Sequence, residues 1–334
     1  MWKRRDVLAA AIALMAVAPA RAQTAAAQTR FRAALNYSRD RGGAGLLVLR
    51  HGVILCEEPT PQAARGEPIP LGEASRIFVP LLAAELAADR LLSLDERVAG
   101  STPGWGADPL RQSITVRQLL NMTSGIALNQ QPGEAPNASQ ALAASPLAPP
   151  GTRFQDDPAP LQIFADIARR KLIASGRPGD IGAYLQAEVL EPIGVSAGFS
   201  RDQDGTTILS TGASASLRTM GAIGELVRRG GLYRGRQIVS STPLRDARLG
   251  SAVQPRFGLC LWLGGPLREP NGVGLDLAAA NGSVPSDVCG VGGADGARLY
   301  VIPSAAAVIV RFAAAHQAAR WSDAAFLQAA LAAI

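Results

Sequence analysis

Glu73, Arg76, Asp156 and Asp157 are charged side chains of the types that acid–base chemistry and ion pairing use. Glu73 and Arg76 stand three apart in Gly72-Glu73-Ala74-Ser75-Arg76-Ile77, ahead of an apolar run, so a helix starting there sets them on one side. Glu73 near the helix N-terminus is favoured by the helix dipole and is placed to pair with Arg76. Carboxylates that share a cleft can do acid–base work when their surroundings split their pKa values, and Glu73, Asp156 and Asp157 would supply them. The alternative is that they are solvated acids at a helix start and in a loop. Arg76 stays protonated at any relevant pH and cannot serve as a base.

Covalent catalysis is poorly supplied. The only lysines are Lys3 and Lys171, and no serine precedes a lysine by three residues: Phe78 lies three beyond Ser75, and Ala168 three before Lys171. Of the two histidines, His51 falls in a hairpin turn and His316 beyond the last expected strand, which leaves a Ser–His–Asp triad without its base. Cys56, Cys260 and Cys289 are too far apart for a metal motif, so no metal and no cofactor are expected. Cys260 sits in a strand-like run and Cys289 precedes another. If those strands are neighbours and the chain is exported, Cys260–Cys289 is the expected disulfide; otherwise all three are buried thiols.

An export signal is expected at the N-terminus. Met1-Trp2-Lys3-Arg4-Arg5 is a positive lead, Val7 to Ala18 is apolar but too short to span a bilayer, and Ala20-Arg21-Ala22 is a cleavage site. Arg4-Arg5 fits either an ordinary secretory signal or a twin-arginine one. Removing residues 1–22 takes the net charge from +6 to +6 − 4 + 1 = +3. No Lys/Arg-rich run survives, so no nucleic-acid partner is expected, and no later apolar run is long enough for a membrane span. The expected location is periplasmic or secreted. A hydrophobic content of 48% places the chain among folded proteins.

Periodicity orders the rest. Residues 23–35 read as a flexible lead-in, and 45–58 as a hairpin turning at Arg50-His51-Gly52. Ile77, Phe78, Leu81, Leu82 and Leu86 recur at helical spacing over 74–92, with Pro80 expected to kink that helix unless it lies in the first turns. Thr115 and Gln118 form a capping box for a helix over 115–122. Residues 127–152 read as irregular loop. Helices are expected at 161–174, 181–190, 213–229 and 321–334, and strands at 257–263, 297–302 and 307–312. The implied fold is α/β: an antiparallel sheet with flanking helices (36–97 and 245–334) and an inserted helical subdomain (98–244).

Five segments in order resemble the serine β-lactamase and penicillin-binding-protein superfamily, in its class C, carboxypeptidase and 6-aminohexanoate-dimer-hydrolase-like branch. They are Arg90-Leu91-Leu92-Ser93-Leu94-Asp95-Glu96-Arg97-Val98, the stretch Ile114 to Gly125, Pro149-Pro150-Gly151-Thr152-Arg153-Phe154, the stretch Gly230 to Val239, and Gly296-Ala297-Arg298-Leu299-Tyr300-Val301-Ile302-Pro303. The likeness spans about 40–315. It implies a cleft between sheet and helices, where a Ser-x-x-Lys serine attacks an acyl carbon, the lysine or a tyrosine acts as base, and a Lys/His-Thr-Gly strand lines the far wall.

Carried onto this chain, the resemblance puts the nucleophile on Glu73, the lysine on Arg76 and the tyrosine on Asp156, with Asp157 following. The third motif falls on Val291-Gly292-Gly293. Each polar catalytic group is gone, so no catalytic residue is expected. Glu73, Arg76, Asp156, Asp157, Gly292 and Gly293 are expected to line the former cleft. The first reading is a pseudoenzyme that holds a peptide, a cell-wall fragment or a protein partner there. The second is a hydrolase with a rebuilt carboxylate site. The third is a structural or assembly protein whose cleft is filled by its own side chains.

Overall fold

The structure, a computed structural model, describes residues 26–60, 67–128, 134–264, 275–277, 284–293, 296–313 and 321–334. The expected signal at 1–22 and His316 lie outside the described residues. Along the chain run α1 (Arg32–Arg39), β1 (Gly43–Arg50), β2 (Val53–Glu58), β3 (Ile69–Pro70), α2 (Phe78–Ala88), α3 (Pro109–Ser113), α4 (Val116–Leu120), α5 (Ala138–Ala143), α6 (Ala159–Ala174) and α7 (Ile181–Leu185). Then follow β4 (Gly198–Phe199), β5 (Ala213–Ala215), α8 (Leu217–Arg228), β6 (Leu232–Tyr233), β7 (Arg236–Gln237), α9 (Ser241–Asp246), β8 (Trp262–Leu263), β9 (Cys289–Gly292), β10 (Arg298–Ile302), β11 (Ala307–Ala313) and α10 (Asp323–Leu331).

The main sheet is antiparallel in the order β2-β1-β11-β10-β9-β8. Its inner strands β10 and β11 are buried along almost their whole length, so apolar residues fill both faces and only Arg298 and Arg311 interrupt them. Helix α8 packs on β1, β10 and β11. It lies close because Gly221 and Gly224 face the sheet: a Cβ on Gly221 would stand 2.6 Å from Leu47 Cδ2, and one on Gly224 2.5 Å from Val308 Cγ1. Helix α1 packs on β1 and on α10. The 98–244 stretch carries helices α3 to α8 and the short strands β4 to β7. No helix among the described residues is long and apolar enough to cross a membrane.

Several local expectations change in the fold. Within the lead-in expected to be flexible, residues 26–35 are largely helical, because Phe31, Ala34, Leu35 and Ser38 make a buried face. Pro80 falls in the first turn of α2, where its missing N–H has no helical partner to lose. The segment 72–77 before it is a 3₁₀ turn. Helix α5 lies inside the expected loop 127–152; its signal was a second capping box, with Asn137 receiving the Gln140 N–H. The box at Thr115 and Gln118 forms as read. His51 occupies the β1–β2 turn at φ 51°, exposed.

The cysteines are free, buried thiols, so the expected Cys260–Cys289 disulfide does not form. Register is the reason. Cys289 lies opposite Leu263, three residues beyond Cys260, while the Cys260 thiol turns the other way to donate to the Leu120 carbonyl at 3.4 Å. Burial pushes all three thiols up, Cys56 to about 11. A thiol reagent should therefore modify none of the three in native protein and all three after denaturation, counted by Ellman titration.

A buried charge network secures the C-terminal helix. Asp323 Oδ1 accepts from Arg298 Nε at 2.9 Å, Tyr300 Oη at 2.5 Å and Trp321 Nε1 at 2.9 Å. Arg311, wholly buried, donates to Ser38 Oγ and to the carbonyls of Gly296 and Arg41, and its guanidinium stacks on Trp321 at 4.0 Å.

Glu85 is the acid left out of such networks. It lies on α2, 9% exposed, and its Oε1 has no hydrogen-bond partner among the described residues. Burial, with Asp89 and Glu188 adding repulsion, raises its pKa from 4.5 to about 7. The folded state thus holds a proton that the unfolded chain releases. The stability that protonated Glu85 contributes is fully present below about pH 4.5 and is lost as pH rises through about 7. Glu85→Gln should flatten the decline in melting temperature between pH 5 and pH 8, measured by calorimetry.

Candidate functional site

The site is built where the 3₁₀ turn 72–77 enters α2. Helix α2 is buried on every face from Phe78 through Leu86, with Glu85 its one charged residue there, so it sits in the core, and part-exposed residues return before it only at Gly72 and Glu73. Strand β9 packs against the turn from the sheet side. From the other side, Leu71 N–H donates to the Ala213 carbonyl at 2.9 Å, and Ala213 N–H donates to Ser75 Oγ at 3.0 Å. Ser75 is 1% exposed and committed to that backbone contact, so it cannot replace a missing nucleophile.

Arg76 reaches across the seam. Its Nη1 donates to Asp156 Oδ1 at 2.6 Å, with the two side chains 8% and 15% exposed. Burial alone would lower the Arg76 pKa, but the negative charges of Asp156 and Glu73 outweigh it and hold the guanidinium firmly protonated. The expected local Glu73–Arg76 pairing is thus replaced by a long-range hydrogen-bonded pair, with Glu73 acting on Arg76 through its charge.

Glu73 is half-buried and lies against the end of β9. A Cβ built on Gly293 would overlap its Oε2 and Cδ and stand 2.7 Å from its Cβ. Only glycine leaves room for this carboxylate. The Gly293 carbonyl accepts from Arg298 Nη1 at 2.6 Å, so the buried Asp323 network also positions this wall. Val291 is buried in β9 opposite Leu299, and Gly292 pairs with Arg298.

Asp156 is positioned by its neighbours. Phe154 packs edge-to-face on Phe257 and Trp262 with centroids 5.2 and 5.9 Å apart, and Gln155 N–H donates to the Met122 carbonyl at 2.9 Å. Asp157 turns away: Oδ1 accepts from Ala159 N–H at 2.8 Å, capping α6, and Oδ2 from Leu128 N–H at 3.0 Å. Asp157 is therefore a buried structural acid, not the cleft-lining residue expected. The structure gathers Glu73, Arg76, Asp156 and Gly293, and leaves Asp157 outside.

Two participants went unread in the sequence. Cys260 lies near the pair, with charge coupling to both Arg76 and Asp156, and takes an unusual φ of 58°. The aromatic triad Phe154, Phe257 and Trp262 was not visible as a unit, since Phe154 lies 103 residues before Phe257 and only Phe257 and Trp262 share the strand-like run at 257–263. A cavity of about 400 Å³ lies apart from this cluster, lined among others by Arg117, Gln118, Asn121 and Leu249.

The beta-lactamase family profile matches residues 17–333, so the chain belongs to the beta-lactamase family. It is similar in structure to a penicillin-binding protein homologue from Caulobacter crescentus, at 17% identity and TM-score 0.67 over 91% of this chain and 96% of that one. A family VIII carboxylesterase gives 17% identity and TM-score 0.68 over 92% and 96%, and a beta-lactamase from Mycobacterium bovis gives 20% and 0.61 over 90% and 96%. At these identities the likeness speaks for the fold alone. No curated protein matches the sequence.

The Arg76–Asp156 pair is testable as an energetic unit. Asp156→Ala strands a buried guanidinium and should cost about 3–5 kcal/mol in urea unfolding, whereas the apolar double replacement Arg76→Met/Asp156→Leu should cost much less.

Proposed function

We propose that this protein is an exported member of the beta-lactamase family that has lost acyl-transfer activity and acts without turnover. The observation that supports it most is the Arg76–Asp156 ion pair. In the positions where the resemblance expects an amine base and a tyrosine, two charges neutralise each other, and the guanidinium cannot give up a proton. Glu73 in the nucleophile position is a carboxylate packed on Gly293, and the nearby hydroxyl of Ser75 is spent on Ala213. A rebuilt carboxylate site finds less support, since Asp157 is turned into the backbone and Asp156 is held by Arg76.

The purified protein should hydrolyse a chromogenic cephalosporin and p-nitrophenyl esters no faster than buffer, and should not be labelled by a fluorophosphonate probe. The variant Glu73→Ser/Arg76→Lys/Asp156→Tyr restores the family's residue types and should gain labelling. Stoichiometric labelling of the natural sequence would overturn the proposal.

A further inference from the structure

We propose that the head of α2 is a carboxylate-binding site filled by this chain's own Glu73, so that a small carboxylate can enter only when the Glu73 side chain leaves. This rests on the non-catalytic reading of the cleft and deepens it, because it specifies what occupies the position where a substrate would react.

Three observations carry it. The first is steric. The Glu73 carboxyl group fills the gap between the 3₁₀ turn and the end of β9, touching Gly293, and that gap exists because Gly293 has no side chain. The second is electrostatic. Arg76, 6% exposed, feels the charge of Glu73 as well as that of Asp156, and its Nε–H is buried without a hydrogen-bond partner among the described residues. A guanidinium in this setting favours anions. The third is access. Glu73 and Gly293 are both half-buried, so the position can be reached from solvent. Glu73 also lies in the first turn of the segment leading into α2, where the helix dipole favours negative charge.

The chemical class of the ligand follows from what a truncation would remove. Glu73→Ala deletes one methylene and a carboxylate, leaving a space of the size and charge preference of acetate. In the natural protein the tethered carboxylate holds that space at a high effective concentration, so free acetate cannot compete. A partner that used this cleft would have to displace Glu73, which directs any binding function to surfaces outside it.

The test is thermal unfolding in sodium acetate against sodium chloride at equal ionic strength. Glu73→Ala should gain a saturable rise in melting temperature with acetate and none with chloride. The natural protein and Glu73→Gln, which keeps the space filled, should show no acetate-specific rise. An equal rise in the natural protein, or no difference between the two salts in Glu73→Ala, overturns the proposal. Gly293→Ala provides a second test, independent of whether Glu73→Ala is well folded. It should lower the melting temperature of the natural protein by about 2–10 °C through overpacking. In the Glu73→Ala background the same change should cost much less. A neutral Gly293→Ala in the natural protein also overturns the proposal. Fluorophosphonate labelling would sink the non-catalytic reading without touching either result, so the two failures are distinguishable.

Discussion

Burial of α2 on all its faces constrains everything else in this molecule. A helix with no polar stripe cannot lie on a surface, so the sheet, the remaining helices and the loops must close around it. Its C-terminal half carries the cost: Glu85 is taken into the interior with the rest of the helix and has Asp89 and Glu188 for company. Its N-terminal end is the one place where layers meet and polar groups have room. The site is there because the core ends there.

Around that end, positions are set by a relay of polar contacts rather than by local sequence. Asp323 holds Arg298, Arg298 holds the Gly293 carbonyl, and Gly293 sets the wall against which Glu73 rests. On the opposite side the aromatic triad and the Asp157 cap hold the loop that carries Asp156. These supports are well buried. The charge pair they enclose has a guanidinium that stays protonated. Burying two charges costs several kcal/mol of desolvation per ion before their attraction returns any of it, so the pair is better understood as specifying how the seam closes than as adding stability.

Much of the fold was legible beforehand. Helical spacing placed α2, a capping box marked α4, and strand patterns at 297–302 and 307–312 marked β10 and β11. The same reasoning failed where the signal was weak or lay outside local pattern. Helix α5 depended on a single capping box within Pro- and Gln-rich sequence. The disulfide expectation failed on a three-residue offset in strand register. Asp156 and Asp157 are adjacent and chemically identical, yet one faces the seam and the other caps a helix; nothing in their order separates them.

The sequence by itself determined the family's framework and the absence of a Ser-x-x-Lys motif. Five ordered segments set the alignment, and the scarcity of lysine shows directly that no Ser-x-x-Lys exists. Only the tertiary structure decided which groups meet around Glu73 and Arg76. Arg76 and Asp156 are 80 residues apart, and the partner of each is chosen by which elements the buried helix brings together. Glu73 and Gly293 are farther apart still, and their contact depends on a missing Cβ whose importance appears only when β9 is laid against the turn. Residue types limit which reactions are available, while three-dimensional packing decides which groups meet, because burial and contact are properties of the closed core and not of neighbours along the chain.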